Sequence, residues 1–379
     1  MHGAIRWLQV MAGSLLLLTL GACAPAGGGT AAPAAQPAAA PPGREAFAPP
    51  LQALVDAARA EGQLTLAHAT MDEPGELPQL IDGFNRAYGL NLTVQFTPHP
   101  NMPELVNRLI QEHRASRTST TDMFVGTDSH IMQLLQADAL EPVDWPSWAP
   151  NVQSPELIAP NGVAVKQTTR ASAITYNSDR LRGDMVPTSL QDLLKPQYKG
   201  RIATMIYAGA FANLGSPELW GEERIVDYVT RLVDQVSGLV GCSDGERVVN
   251  GEFDAYAIDC ATSQALRFQK RGAPLAAVIP SDAPLLTLAY VGVPRHAAHP
   301  NAAKLWINYL LSREGQDIMF EYDFLDLPLV EGSKIGRDVQ QLQARGVRFT
   351  EVDVEFYRRN ETQELTAIRD ELTRILRNQ

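Results

Sequence analysis

Apolar residues recur along most of the chain with two periods, one typical of strands and one typical of helices. The stretch Leu77, Leu80, Ile81, Phe84 and Tyr88 has the 3.6-residue period and predicts a helix. Strands are predicted at 63–70, 90–96, 122–125, 171–177, 201–205, 238–241, 253–258 and 286–293, and helices at 51–60, 77–88, 102–113, 190–194, 225–233, 301–312 and from about 360 onward. Such alternation indicates a mixed α/β protein whose parallel sheets carry helices on both faces.

Two of the predicted strands stand out because of their positions in this order. The run 171–177 ends at the polar turn Asn177-Ser178-Asp179, and the run 286–293 is closed by Pro294. They are interpreted as paired crossings between two α/β lobes, which would act as a hinge beside a cleft for a small polar ligand. The alternative is one large α/β domain with two ordinary core strands.

The last predicted helix carries one apolar stripe, formed by Leu365, Ile368, Leu372, Ile375 and Leu376. A stripe this short is expected to dock on the first lobe rather than on another protein. Residues 141–162, with five prolines, are expected to form irregular surface structure.

The N-terminus has the pattern of an export signal. Arg6 precedes a short apolar run, which ends at Leu20-Gly21-Ala22-Cys23. The run is too short to span a bilayer comfortably. Its ending resembles a bacterial lipobox, which implies a lipid on Cys23; a plain signal peptide that happens to contain a cysteine is the alternative. Residues 24–49 are mostly alanine, proline and glycine and are expected to be a flexible tether.

Composition narrows the class of partner. The chain has 379 residues, 45% of them hydrophobic and 20% charged, and a net charge of −11, which argues against nucleic acid as the main partner. A monomer without a cofactor is expected. Phosphate-loop and zinc-protease motifs do not occur in the sequence, and an enzyme is not expected.

Several landmarks occur in the same order as in a known family. They are Glu61-Gly62-Gln63-Leu64, Thr175-Tyr176-Asn177, 189–194 followed by 198–202, Gly251-Glu252-Phe253, Gly272-Ala273-Pro274, and 301–312 leading into Glu314-Gly315-Gln316. With them the chain resembles the extracytoplasmic solute-binding proteins of ABC importers, in the group that contains ferric-iron binders. The resemblance implies a type-II periplasmic-binding-protein fold, with two Rossmann-like lobes joined by a two-strand hinge, and delivery of a ligand to ABC permease subunits.

The expected domain boundaries follow from the signal, the tether and the crossings. Residues 1–22 are the signal peptide, 23–49 the tether, 50–171 with 291–379 the first lobe, and 172–290 the second lobe, with hinge strands near 171–177 and 286–293. The mature protein is expected on the extracytoplasmic face of the membrane, in the periplasm or on the cell surface.

The chain departs from the iron binders at one point. The resemblance implies a pair of adjacent tyrosines just after the strand at 253–258, whereas this chain has Ala261-Thr262-Ser263. Hydroxyls and N–H groups at a helix start suit an anion or a polar organic molecule better than a ferric ion.

Ligands of open α/β sheets bind beyond the carboxyl ends of the strands. The candidate ligand-binding residues therefore lie in the loops that follow the strands and beside the crossings: Thr70, Met71, Asp72, Thr127, Asp128, Ser129, Tyr176, Tyr207, Ala208, Gly209, Ser243, Asp244, Asp259, Thr262, Ser263 and Tyr290. Each hydroxyl or carboxylate could instead cap its own helix, and each tyrosine beside a crossing could instead pack in a core.

Three other groups of residues leave alternatives open. Arg170 could neutralise an anionic ligand or be a surface charge, and the surface reading is preferred. His296 and His299 lack an apparent third ligand, so no metal site is expected. Cys242 and Cys260 follow strands that are expected to be neighbours, which predicts a disulfide; two buried free thiols are the alternative.

The function expected from all of this is capture of a small polar or anionic solute by a lipid-anchored component of an ABC importer. A sensor accessory protein remains an alternative. Ferric-iron binding and an exported hydrolase on the same fold are less favoured.

Overall fold

The computed structural model describes residues 46–68, 74–99, 101–241, 244–259, 262–360 and 362–377. All elements below lie in the unit Phe47–Gln379. The strands are β1 (Gln63–His68), β2 (Thr93–Pro98), β3 (Phe124–Thr127), β4 (Val165–Ala171), β5 (Ala173–Asn177), β6 (Ile202–Met205), β7 (Val236–Val240), β8 (Ala255–Asp259), β9 (Leu275–Val278), β10 (Leu285–Gly292) and β11 (Thr350–Val352).

Helices alternate with the strands in the first two thirds of the chain and follow one another in the last third. They are α1 (Pro49–Glu61), α2 (Glu76–Tyr88), α3 (Met102–Arg114), α4 (Asp128–Gln136), α5 (Gly209–Leu214), α6 (Glu222–Val233), α7 (Gly245–Val249), α8 (Thr262–Lys270), α9 (Pro300–Leu310), α10 (Arg313–Asp323), α11 (Lys334–Ala344), α12 (Val354–Arg359) and α13 (Thr362–Arg377). In the described ranges, none of them combines the length and apolar character needed to cross a bilayer.

The first lobe is built on β1, β2, β3, β10 and β4. β1 and β2 pair in parallel, and the bridge between Leu66 and Met123 joins β1 to the start of β3. β10 lies antiparallel between β3 and β4. β11 pairs in parallel with the first residues of β10. It lies on the same side of β10 as β3, which pairs with the later residues of that strand. The carboxyl ends of β3 and β11 therefore point towards each other.

The second lobe is built on a five-stranded sheet with the order β7-β6-β8-β5-β9. β6 is parallel to both of its neighbours, whereas β5 is antiparallel to β8 and β9. The apolar residues of the two lobes form separate core clusters: Leu64, Phe84 and Trp306 belong to the first, and Ile202, Phe211 and Tyr228 to the second.

The chain passes from the first lobe to the second between β4 and β5, and the predicted lobe boundaries stay a prediction. β4 and β5 are separated by Ser172 alone, whose N–H donates to the carbonyl of Leu285 at the start of β10 (3.0 Å). The outgoing and returning strands thus lie side by side, an arrangement that suits a hinge.

The C-terminal helix contradicts the expectation that it docks on the first lobe. α13 packs against α5 and α6, and Leu365, Ile368 and Leu372 join the second core cluster. A stripe of apolar residues shows that a helix must be covered but not by which surface. Here the covering surface is formed by α5 and α6 of the second lobe, which the chain reaches through β11 and α12.

Other differences concern elements with weak sequence signals. β9, β11 and α10 to α12 have no counterpart among the predicted strands and helices. The strands at the crossing begin with β4 at Val165, earlier than the predicted start at 171, because the polar residues 166–170 give no apolar strand pattern. Residues 141–162 are irregular as expected, with short 3₁₀ turns at Trp145–Ser147, Pro155–Leu157 and Pro160–Gly162.

Candidate functional site

β4 is an unusual strand because its side chains are polar and still buried. Lys166, Gln167, Thr168 and Thr169 are each less than 9% exposed. Polar residues are rarely fully buried unless they are paired or used by a site. This strand lies beside β10 at the crossing, so it brings polar groups to the region where the two lobes meet.

A cavity opens at the end of β4 that is nearest to the crossing. Its walls come from β3, β4, β10 and the adjoining ends of α2 and α10: Glu76, Val125, Gln167, Thr168, Arg170, Ala289, Met319, Asp323 and Leu325. The volume is about 20 Å³, which is room for one water molecule. A solute of several heavy atoms therefore fits only if the walls move apart.

α8 of the second lobe contacts both β4 and α10 beside this cavity. The Arg267 guanidinium on α8 donates to the carboxylate of Asp323 at 3.1 Å, and Lys270 donates to the carbonyl of Glu321 at 2.7 Å. These contacts join the two lobes at the rim. Separating the lobes would break these two hydrogen bonds beside the cavity.

Arg170 supplies the cation of the cavity. Its Nε atom is shielded from solvent without a hydrogen-bond partner, and in the described ranges the guanidinium forms no ion pair within 4 Å. Burial lowers the pKa of Arg170 from its usual value, and the nearby Arg267 adds to the effect, while Asp323 and Asp128 oppose it. The preferred interpretation of Arg170 as a surface charge is therefore wrong.

A second group of charges, in which Lys166 and Asp128 are buried, lies where β3, β11 and α4 meet. Lys166 Nζ is 3.1 Å from a carboxylate oxygen of Glu351 and 3.6 Å from one of Asp353. Asp128 is 3% exposed, and its Oδ1 atom is buried without a hydrogen-bond partner. Burial raises the pKa of Asp128 well above its usual value; Asp353 and Glu351 raise it further and Lys166 lowers it.

The predicted loop at the end of β3 has a capping role in the structure. Thr127 ends β3 and forms a capping box with His130, and its Oγ1 lies 3.2 Å from the hydroxyl of Ser129. Tyr290 is buried on β10 in the first core cluster, and the Asp128 charge contributes to raising its pKa, after burial. Thr127, Asp128, Ser129 and Tyr290 are thus brought together.

The predicted residues of the second lobe are more scattered. Tyr207 is 57% exposed in the loop after β6, Ala208 is buried, and Gly209 begins α5. Tyr176 is half-buried against the second core cluster. Asp244 accepts a hydrogen bond from the N–H of Gly241 at 2.7 Å.

The remaining predicted residues lie at β8 and α8 or outside the described ranges. Asp259 ends β8, Thr262 begins α8 and Ser263 is buried. The predicted residues and cysteines that lie outside the described residues are Thr70, Met71, Asp72, Ser243, Cys23, Cys242 and Cys260. Ligand contact by any of the predicted residues stays a prediction.

His296 and His299 are held by other side chains. His299 Nδ1 lies 2.8 Å from the carboxylate of Asp122, and His296 Nε2 lies 3.3 Å from Nδ1 of His113. In the described part of the chain, no group of three metal-ligating side chains is found.

Sequence reasoning missed Glu76, Gln167, Thr168 and Asp323 as lining residues. A signal for two of them was present, because Gln167 and Thr168 belong to a polar run directly before an apolar crossing strand. Glu76 and Asp323 carried no such signal, since each is one carboxylate among many on an amphipathic helix.

Comparisons with known proteins agree with this architecture. A family profile described as bacterial extracellular solute-binding protein matches residues 79–345. A protein of Serratia marcescens described as an Fe(3+)-binding periplasmic protein is 26% identical over 264 residues, which are 64% of this chain and 73% of that protein.

Solved structures show the same fold at low sequence identity. AfuA from Actinobacillus pleuropneumoniae, solved with fructose-6-phosphate, has a TM-score of 0.66 at 19% identity and covers 83% of this chain and 99% of its own. Iron-bound HitA from Pseudomonas aeruginosa has a TM-score of 0.64 at 19% identity, with 82% and 99% covered. The expected type-II periplasmic-binding-protein fold is confirmed. With the family profile matching most of the folded part, the chain belongs to the bacterial extracellular solute-binding proteins that serve ABC transporters.

Proposed function

We propose that this protein is the lipid-anchored solute-binding component of an ABC importer and that its solute is a small organic molecule with an anionic group. The solute is held between the lobes at the cavity beside Arg170 and is released to the permease when the lobes separate. Members of the family bind small molecules and work with ABC permease subunits. The anionic class of the solute and the lipid anchor go beyond what the family shows.

The observation that carries the proposal is the Arg170 guanidinium in the cavity. A half-buried cation without an ion pair in the described ranges is costly, and a phosphate or carboxylate on the solute would offset that cost through charge-assisted hydrogen bonds. Gln167 and Thr168 could add polar contacts from the same strand. A sugar phosphate, as in AfuA, is one solute of this class.

Ferric iron is the second candidate because the Serratia relative is described as a ferric binder. One feature of this chain opposes it. Thr262 and Ser263 stand where iron binders are expected to carry tyrosines, and none of the described lining residues offers a phenolate oxygen.

A thermal-shift screen followed by calorimetry tests the proposal. Phosphonates, sugar phosphates, carboxylates, polyamines and thiamine are screened against the wild-type protein, and a hit at a hundredfold excess over its Kd should stabilise it by about 2.7 kcal/mol. In Arg170→Gln the hit should bind about 10- to 100-fold more weakly, since one hydrogen bond to a charged group is lost.

The matched control is Arg182→Gln, which removes one positive charge from an exposed second-lobe site that pairs with Asp179. It should bind like the wild type. Thr262→Val with Ser263→Ala should also weaken the hit. Equal affinity in the wild type and Arg170→Gln, or tight ferric binding with a tyrosinate-to-iron colour, would contradict the proposal.

The choice between import and sensing needs a cellular readout. If the protein serves import, deleting its gene should abolish growth when the identified solute is the only source of an element that the cells need. Unchanged growth with a lost transcriptional response to the solute would favour a sensor. A solute recovered chemically changed after incubation would favour an enzyme.

A further inference from the structure

A second cavity, of about 550 Å³, lies where three loops meet at the start of the returning crossing strand. Its walls are residues 218–220 between α5 and α6, residues 281–284 between β9 and β10, and residues 345–350, which lead from α11 into β11. We call this cavity the hinge groove. It shares no lining residue with the cavity beside Arg170.

Hydrogen bonds fix the loops of the hinge groove to one another. The indole N–H of Trp220 donates to the carbonyl of Asp282 at 2.8 Å, and the N–H of Thr350 donates to the carbonyl of Pro284 at 3.1 Å. The groove is therefore preformed, and its volume falls within the range of small-molecule sites. Apolar wall is supplied by Leu219, Trp220, Ala283, Pro284 and Val347.

The acidic residues of the hinge groove are already satisfied. The carboxylate of Asp282 accepts the N–H groups of Leu190 (2.8 Å) and Gln191 (3.1 Å). The carboxylate of Glu218 accepts the side-chain amide of Asn360 at 2.5 Å and lies 3.4 Å from the guanidinium of Arg359. Neither carboxylate is left to balance a further cation in the groove.

The basic residues of the hinge groove are free by contrast. Arg345 and Arg348 are exposed, and neither forms an ion pair within 4 Å with any residue of the described ranges. The Arg224 guanidinium stacks on the Trp220 ring at 4.1 Å. The groove thus combines an indole, an apolar wall and the two guanidinium groups of Arg345 and Arg348.

We propose that the hinge groove is a second binding site, separate from the solute site, for a small soluble organic anion with an aromatic or apolar body. The anionic group lies between Arg345 and Arg348, and the body lies against Trp220 and Pro284. Guanidinium groups suit carboxylate, sulfonate and phosphate oxygens, and the ring face adds stacking.

The test uses the full chain and naphthalene-1,5-disulfonate as the probe, with 2-naphthol as its neutral counterpart. Calorimetry should show saturable 1:1 binding of the probe and weaker binding of 2-naphthol. Arg345→Gln with Arg348→Gln should weaken the probe by about tenfold or more, because its charged partners are removed. The matched control is Arg114→Gln with Arg117→Gln, which removes the same charge from exposed first-lobe positions and should leave binding unchanged.

Two further arms separate this site from others. Arg170→Gln should bind the probe like the wild type, and vesicles of phosphatidylglycerol should not displace it. The proposal is overturned if the probe shows no saturable binding or binds no better than 2-naphthol. It is also overturned if the Arg345/Arg348 variant binds as well as its control, if Arg170→Gln loses binding, or if the vesicles displace the probe.

Discussion

Replacing Leu372 by alanine should destabilise the second lobe and leave the first lobe largely intact. Leu372 is fully buried on α13, at the contact of this helix with α5 and α6. Removing its three outer carbons loses about 2 to 3 kcal/mol of transfer free energy. The cavity left behind raises the cost to at most about 5 kcal/mol.

Urea unfolding and hydrogen exchange, read by mass spectrometry, measure this effect. Amides of α6, around Tyr228 and Val229, should exchange faster in Leu372→Ala, while amides of α2 around Phe84 should keep their protection. Gln363→Ala on the exposed face of the same helix is the control and should change stability by less than about 0.5 kcal/mol. Faster exchange in α2 with α6 unchanged, or equal stability of the two variants, would refute the docking of α13 on the second lobe.

Three other predictions address the charged cluster, the anchor and the cysteines. Burial raises the pKa of Asp128, so the carboxyl of the native protein keeps its proton to a higher pH than the carboxyl of the unfolded chain. The stability that this protonated carboxyl contributes is therefore lost as pH rises above about 4 towards the raised pKa. Asp128→Asn should therefore flatten the fall in stability between pH 4 and 8, measured by urea unfolding; an unchanged slope would rule this cause out. Cys23→Ala should move the protein from the membrane fraction to the soluble fraction and change its processed mass, and a variant that stays membrane-bound would exclude the lipid. Alkylation of the unfolded, unreduced mature protein should find Cys242 and Cys260 blocked by their disulfide, whereas two reactive thiols would exclude it.

Most strands and helices up to the first crossing are determined by local pattern, with α4 and β4 as the exceptions. The 3.6-residue period around Leu80 and Phe84 and the β-branched run at Ile174 predict elements that the structure contains with ends shifted by a few residues. These signals are local because burial of one face fixes the period of the apolar positions. The landmarks added the family, which spacing alone would not have supplied, whereas the export signal and the lipid on Cys23 stay predictions.

The site depended on contacts that no local pattern encodes. The sequence favours a surface charge at Arg170 because arginine is usually exposed, and only the pairing of β4 with β10 shows that its guanidinium lies in a cavity. The groups that enclose it, Glu76 on α2 and Asp323 on α10, come from distant parts of the chain. A single charged residue on an amphipathic helix gives no sign of which face of which neighbour it will meet.

The placement of the C-terminal segment likewise depended partly on the sequence and partly on the tertiary structure. Sequence determined that α13 is amphipathic and therefore must bury Leu365, Ile368 and Leu372. The tertiary structure decided that they are buried on the second lobe, because β11 pairs with the start of β10 and directs α12 and α13 across the crossing. Hydrophobic burial is not directional: it states that a surface must be covered, and the choice among covering surfaces belongs to the whole fold.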